Sequence, residues 1–272
     1  MKIFIDSADL DEIQQGYAWG VLDGVTTNPS LLKQAVGKRA KKGEKVHLKD
    51  YISLILEVAK GTPVSLEVTE VTADRMIAEA KRLYQLFNPV AGNVYIKIPV
   101  NPAFNPQDST HFDGIRAIRE LTSAGIPVNT TLIFAPEQAL VAAKAGARFL
   151  SPFAGRIDDD LRKKAGITFG KLDYFPAEGM ELDGTVLEDN GIVSGIDLVE
   201  QCVQIVEQYR LKAEVLAASL RNPRQVREAA LAGAHIATLP FTVLENMLKH
   251  HKTYEGMALF TADVVPEYSQ LR

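Results

Sequence analysis

Short apolar runs alternate along this chain with longer segments in which apolar positions recur every three or four residues. The runs read as strands: Ile3–Ile5, Gly24–Thr26, Val64–Val68, Val94–Ile98, Val128–Leu132, Phe149–Pro152, Ala213–Ala217 and His235–Leu239. Near-continuous hydrophobicity is what a strand covered on both faces requires. Helical period marks the intervals, among them Ala73–Phe87, Pro136–Ala145, Leu198–Tyr209 and Pro223–Ala232. Strands that alternate with helices predict a parallel sheet with crossover connections. Eight such units predict closure into a single-domain α/β fold, a (β/α)8 TIM barrel over residues 1–272. An open doubly wound sheet would need a glycine-rich fingerprint after its first strand, and none is present. Ala-Gly-Ala at Ala145–Ala147 and at Ala232–Ala234 stops a helix just before a strand, where glycine accepts the left-handed cap.

Three stretches exceed a tight strand-to-helix connection: the basic Lys33–Asp50, the Asn- and Pro-rich Val100–Asp113, and Ala154–Gly195. They are expected as long loops on the C-terminal face of the barrel, the face that carries active sites in this architecture. Residues 253–272 are expected to form a C-terminal helical tail that packs on the barrel or on a neighbouring subunit of a homo-oligomer.

Composition narrows the function classes. The 272 residues are 46% hydrophobic with a formal net charge of −4, so no global basic field for nucleic acid exists. Cys202 is the sole cysteine, which excludes an intramolecular disulfide. No run of about 18 apolar residues suggests a membrane span, and the N-terminus meets Asp6 too soon for a secretory signal. The expectation is a cytoplasmic protein with no membrane or nucleic-acid partner. His47, His111, His235, His250 and His251 form no metal-ligand motif, so neither a metal nor another cofactor is expected.

One residue breaks the apolar pattern. Lys97 lies inside Val94-Tyr95-Ile96-Lys97-Ile98-Pro99. Desolvation favours the neutral form of a buried amine, and a neutral, held amine is what Schiff-base chemistry on a carbonyl needs. A strand-end lysine that snorkels outward, or pairs with a carboxylate, is the ordinary alternative. Polar residues at the other strand ends weigh against it. They are Asp6; Thr26, Thr27 and Asn28; Glu67; Asn129 and Thr131; Ser151, with Phe153 and Arg156 beyond it; and Ser219 with Arg221. Each alone has a structural use as a cap, a turn or an ion pair. Together, at one mouth, they supply an amine, a carboxylate base, neutral donors and two forked cations for an anion, the set for carbon–carbon cleavage through an iminium.

The segments Phe4–Ala8, Asp23–Ser30 with Thr-Thr-Asn-Pro-Ser, Val64–Val68, Ile96–Pro99, Asn129–Phe134, Ser151–Arg156 with Ser-Pro-Phe-Ala-Gly-Arg, and Ala217–Arg221 resemble the transaldolase family, in its compact branch with the fructose-6-phosphate aldolases. The resemblance spans Met1 to about Leu248, and the three long stretches depart from the compact members. It implies transfer of a dihydroxyacetone unit from a ketose phosphate to an aldose phosphate, as in the pentose phosphate pathway. Lys97 would form the Schiff base, Glu67 and Thr131 would assist dehydration with a water, and Asp6 would take the C4 hydroxyl proton. Thr27, Asn28 and Ser151 would line the sugar site, and Arg156, Ser219 and Arg221 would hold the phosphate. The aldolase branch resembles a site with Gln at position 67 and Tyr at position 153. Glu67 and Phe153 therefore favour transfer over release of free dihydroxyacetone. An aldolase, a transaldolase for another anionic sugar such as a sulfonate, and a non-catalytic sugar-phosphate binder stay open at this point.

Overall fold

The computed structural model describes residues 1–271. In chain order the elements are β1 (Lys2–Asp6), α1 (Leu10–Ala18), β2 (Gly24–Thr26), α2 (Pro29–Lys41), α3 (Leu48–Val58), β3 (Val64–Glu67), α4 (Ala73–Ala91), β4 (Val94–Pro99), α5 (Asp113–Ser123), β5 (Val128–Ile133), α6 (Pro136–Ala145), β6 (Phe149–Pro152), α7 (Ala154–Lys164), β7 (Glu181–Leu182), β8 (Thr185–Val186), α8 (Gly195–Gln208), β9 (Glu214–Ala217), α9 (Pro223–Leu231), β10 (Ile236–Leu239), α10 (Phe241–Asn246) and α11 (His251–Ala262), with a closing 3₁₀ turn (Pro266–Leu271). Strands close in the order β1-β10-β9-β6-β5-β4-β3-β2, every pair parallel, while β7 and β8 form a separate hairpin. The expected (β/α)8 barrel is therefore the observed architecture.

Strand parity builds two cores. Val94, Ile96 and Ile98 of β4 join the large shell between sheet and helices, whereas Tyr95 joins Phe4, Phe149, Leu216 and Ile236 inside the barrel. Phe149 stacks on Tyr95 at 4.8 Å between ring centroids and meets Phe4 edge-on at 5.8 Å. A side chain at Gly24 would lie 2.6 Å from the Phe4 ring, so this glycine is what lets Phe4 fill the barrel axis. The aromatic plug closes the lower end of the barrel, and the polar strand ends lie above it. Side chains alternate across a strand, so the parity that turns Tyr95 inward also turns Lys97 inward.

One of the expected long loops is largely helical, and a second begins as a helix. Lys33–Asp50 lies mostly in α2 and the start of α3. Pro29 opens α2, the Asn28 side chain accepts from the Leu31 N–H, and Lys38, Arg39 and Lys41 occupy its last turn. A proline at the first turn and cations at the C-terminus both favour a helix, and the density of lysines conceals that signal. The first part of Ala154–Gly195 is α7, which leaves residues 165–194 as the true excursion, with the β7–β8 hairpin inside it. Val100–Asp113 does remain non-helical up to α5. The tail is helical as expected, but α11 buries none of its residues, and Tyr254, Met257, Leu259 and Phe260 are exposed. No helix of the described residues is long and apolar enough to cross a membrane.

Candidate active site

A cavity of about 350 Å³ opens at the C-terminal end of the barrel. Of the expected site residues, Asp6, Asn28, Lys97, Ser151, Phe153, Arg156, Ser219 and Arg221 line it. They come from segments at and just beyond the C-terminal ends of β1, β2, β4, β6 and β9, which lie far apart in sequence. Parallel pairing sets β3, β4 and β5 side by side, with Glu67 opposite Lys97 and Lys97 opposite Asn129.

Lys97 is 6% exposed. Its Nζ lies 3.2 Å from Glu67 Oε2 and donates to the Thr27 carbonyl at 3.5 Å. The carboxylate pairing considered for a strand lysine is thus present. The pair is not a surface tether, because the lysine stays at the cavity while Glu67 reaches it from a second cavity of about 500 Å³ beside α2, α3 and α4. Desolvating two charges is costly unless each compensates the other, and this contact provides that compensation.

The remaining polar groups form two chains. Thr26 Oγ1 donates to Asp6 Oδ1 at 2.7 Å and lies 2.6 Å from Thr238 Oγ1. Each hydroxyl has one proton, so Thr238 must donate to Thr26 when Thr26 donates to Asp6. On the other side Ser151 Oγ donates to Asn129 Oδ1 at 2.7 Å, and Asn129 Nδ2 donates to Ser65 Oγ at 3.1 Å. Thr27 does not face the cavity: its hydroxyl donates to the Ser65 carbonyl at 2.8 Å, in the role of a buried strut. Thr131 is buried and is not among the residues that line the cavity, and its hydroxyl has no protein partner among the described residues.

The mouth is cationic. Arg156 is exposed, with its guanidinium 5.1 Å from the centre of the Phe153 ring. Arg221 Nη2 pairs with Asp159 Oδ2 at 2.8 Å, while Arg221 Nε is buried without a partner among the described residues. Ser219 sits at φ 63°, in the left-handed region that non-glycine residues rarely adopt. A Cβ at Gly155 would come within 2.1 Å of the Ser219 carbonyl oxygen and 2.6 Å of Arg221 Nε, so only glycine lets the start of α7 approach this turn. Such strain concentrates where a site must be held in one geometry.

Beneath Arg221 lies a buried carboxylate. Asp158 accepts from the Gly195 N–H at 2.7 Å and from Gln225 Nε2 at 2.5 Å, and Gln225 Oε1 in turn accepts the Arg221 N–H at 2.7 Å. Burial pushes the Asp158 carboxyl up to about 7; the Gly195 N–H, the nearby Arg162 charge and Gln225 oppose that rise, and Asp159 adds to it. Cys202 is also buried, and burial raises its thiol to about 12, which makes it inert at neutral pH.

The geometry adds residues that the sequence alone leaves out of the site. Thr238, the penultimate residue of β10, lies within reach of the same strand-end rule. Lys171 and Leu172 reach the cavity from residues 165–194, and no periodicity or motif points to them. No cluster of metal-ligating side chains occurs among the described residues.

Comparison with known proteins gives the family. A family model described as Transaldolase/Fructose-6-phosphate aldolase matches residues 3–270. The chain belongs to the transaldolase/fructose-6-phosphate aldolase family. Within this family a relative from Herpetosiphon aurantiacus, named probable transaldolase, is 40% identical over 263 residues, covering 97% of this chain and 94% of its own. Proteins of the same name from Thermoplasma acidophilum and Aquifex aeolicus are each 38% identical, covering 97% and 98% of this chain and 95% and 99% of their own. The protein is therefore an enzyme of the transaldolase family. Its barrel brings Lys97 from the segment Ile96–Pro99, and Ser151, Phe153 and Arg156 from the segment Ser151–Arg156, to one cavity.

Proposed function

We propose that this enzyme is a transaldolase that carries a three-carbon dihydroxyacetone unit on Lys97 between sugar phosphates. The observation that supports it most is the nearly buried Lys97, held 3.2 Å from Glu67 in a cavity whose rim carries Arg156 and Arg221. Transfer of a proton from Lys97 to Glu67 frees the amine lone pair. The amine nitrogen bonds to C2 of a ketose, and the carbinolamine hydroxyl leaves as water with a proton relayed from Glu67, with Thr131 positioning the water. Asp6 then takes the C4 hydroxyl proton, the C3–C4 bond breaks, and its electron pair is drawn into the iminium to give an enamine. An aldose leaves, and a second aldose accepts the enamine carbon by the reverse steps. Asn28 and Ser151 hold the hydroxyls of the three-carbon unit, while Arg156, Ser219 and Arg221 hold the anionic end. Forked guanidinium donors suit a phosphate.

Phe153 favours transfer over hydrolytic release. Its ring packs edge-on with Phe134 at 5.7 Å and lies under Arg156. It offers no hydroxyl to hold water at the iminium, so the enamine persists until an aldose arrives. The exposed apolar side chains of α11 are in keeping with a homo-oligomer. The deciding experiment incubates the enzyme with fructose 6-phosphate, with and without erythrose 4-phosphate, and follows sedoheptulose 7-phosphate and free dihydroxyacetone. Sedoheptulose 7-phosphate formation, and borohydride trapping of a three-carbon adduct on Lys97, are expected. Rapid release of dihydroxyacetone without acceptor would replace this reading with an aldolase, and an adduct on another lysine would remove Lys97 from its role.

A further inference from the structure

The anion-binding rim holds a third cation that the strand ends do not supply. Lys171 lines the same cavity as Arg156 and Arg221, and it comes from residues 165–194 rather than from a strand end. Its surroundings are built, not loose. Phe175 is 1% exposed. The guanidinium of the buried Arg162 lies 5.0 Å from the ring centres of both Phe169 and Phe175 and donates to the Asp173 carbonyl at 3.0 Å. Tyr174 donates to Glu228 at 2.7 Å, with the Arg224 guanidinium 3.6 Å from its ring centre. Gly170 N–H donates to Asp173 Oδ2 at 2.7 Å, and Asn222 Nδ2 donates to the Leu172 carbonyl at 3.4 Å. Anchors therefore flank Lys171 on both sides.

Charge counting gives this lysine a purpose. Arg221 is already paired with Asp159, so that couple brings little net charge to the rim. Arg156 contributes one positive charge. Among the described residues Lys171 makes no hydrogen bond or ion pair, and it contributes the second. A phosphate monoester at neutral pH carries close to two negative charges. We propose that Lys171 is an anion-binding residue, delivered by the 165–194 excursion, that with Arg156 matches the rim to a dianionic phosphate ester in preference to a monoanion. The proposal rests on the reading of the cavity as a sugar-phosphate site and adds to it a residue and a charge state. A lysine acts here as a point charge, not a fork, so it sets charge while the arginines set geometry.

The test uses the full-length enzyme with Lys171→Met, which keeps chain length, and Lys171→Arg, which keeps charge. For Lys171→Met the KM for glyceraldehyde 3-phosphate as acceptor is expected to rise about 10-fold with kcat within about 2-fold, and the KM for unphosphorylated glyceraldehyde to stay unchanged. Lys171→Arg should recover most of the loss. Separately, binding of inorganic phosphate and of methanesulfonate is measured by calorimetry on the resting enzyme. Lys171→Met is expected to weaken phosphate binding about 10-fold and methanesulfonate binding much less. Phosphate binding equal to that of the parent enzyme, or equal losses for both anions, would overturn the proposal, as would a parent enzyme that binds no phosphate. If the parent lacks transaldolase turnover but Lys171→Met still loses phosphate binding selectively, the functional reading falls and Lys171 keeps its role. If the parent turns over normally and Lys171→Met binds phosphate as tightly as the parent does, the functional reading stands and Lys171 loses its role.

Discussion

Replacing Asp6 with Asn separates catalysis from folding at this site. Asp6 Oδ1 accepts from Thr26 Oγ1 at 2.7 Å, and Thr26 in turn contacts Thr238 at 2.6 Å. A hydrogen bond to a charged acceptor contributes about 1.5–3 kcal/mol and one between neutral groups about 0.5–1.5 kcal/mol. Asn keeps an oxygen for Thr26 and loses only the charge, so the folded state should lose about 1–2 kcal/mol. The chemical step should lose far more. An amide cannot take the C4 hydroxyl proton, and removal of such a base slows a reaction about 10²–10⁴-fold, equivalent to about 3–5 kcal/mol of barrier. Lys97 and Glu67 are untouched, so carbinolamine and imine formation should continue. The assay is rapid quench with borohydride after mixing with fructose 6-phosphate, followed by intact-protein mass spectrometry, with denaturant unfolding in parallel. Asp6→Asn should accumulate a six-carbon adduct where the parent shows the three-carbon one. Turnover within about 10-fold of the parent, or a three-carbon adduct formed at the parent's rate, would refute Asp6 as the base. A stability loss larger than the kinetic loss would assign it a structural role instead.

Phe153→Tyr should increase dihydroxyacetone release at the expense of transfer; a change of about 1.4 kcal/mol in the hydrolytic barrier is a 10-fold rate difference, and an unchanged product ratio would remove Phe153 as the discriminator. Asp158 links stability to pH: its folded-state carboxyl, raised by burial to about 7, holds its proton more tightly than in the unfolded chain. The associated stability is therefore full below about pH 4 and lost as pH rises through 7, on the order of 4 kcal/mol in all at about 1.4 kcal/mol per pH unit. Thermal unfolding from about pH 4 to 8 should show this slope in the parent and a flatter profile in Asp158→Asn; identical slopes would count against it. Phe175→Ala should cost about 3–5 kcal/mol as a buried aromatic truncation and expose residues 165–194 to limited proteolysis, and an unchanged melting temperature together with unchanged protease resistance would show that Phe175 does not anchor the excursion.

The barrel is legible in the sequence because its signals are local. Eight buried strands show as apolar runs, helix stops show as glycine, and period-2 alternation alone places Tyr95 and Lys97 on one face of β4. Once the strands are parallel and closed, their C-terminal ends must converge, so Asp6, Asn28, Ser151 and Arg221 can be named without coordinates. The same rule misplaces Thr27 because a strand end gives position but not side-chain direction: its hydroxyl satisfies the Ser65 carbonyl instead of facing the cavity. The helix within Lys33–Asp50 escapes notice because its lysines outweigh a cap formed by Asn28 and Pro29. Asp158, Thr238 and Lys171 depend on the tertiary structure in different ways. Asp158 becomes distinctive only when α7 and α8 meet over it. Thr238 gains its role from contact with Thr26, 212 positions away in the chain. Lys171 reaches the rim because Phe175, Arg162 and Tyr174 fasten a non-periodic segment onto the barrel. Periodicity along the chain records which face of an element is buried; which distant side chains meet across the closed barrel is decided by packing and burial, and those have no local signature.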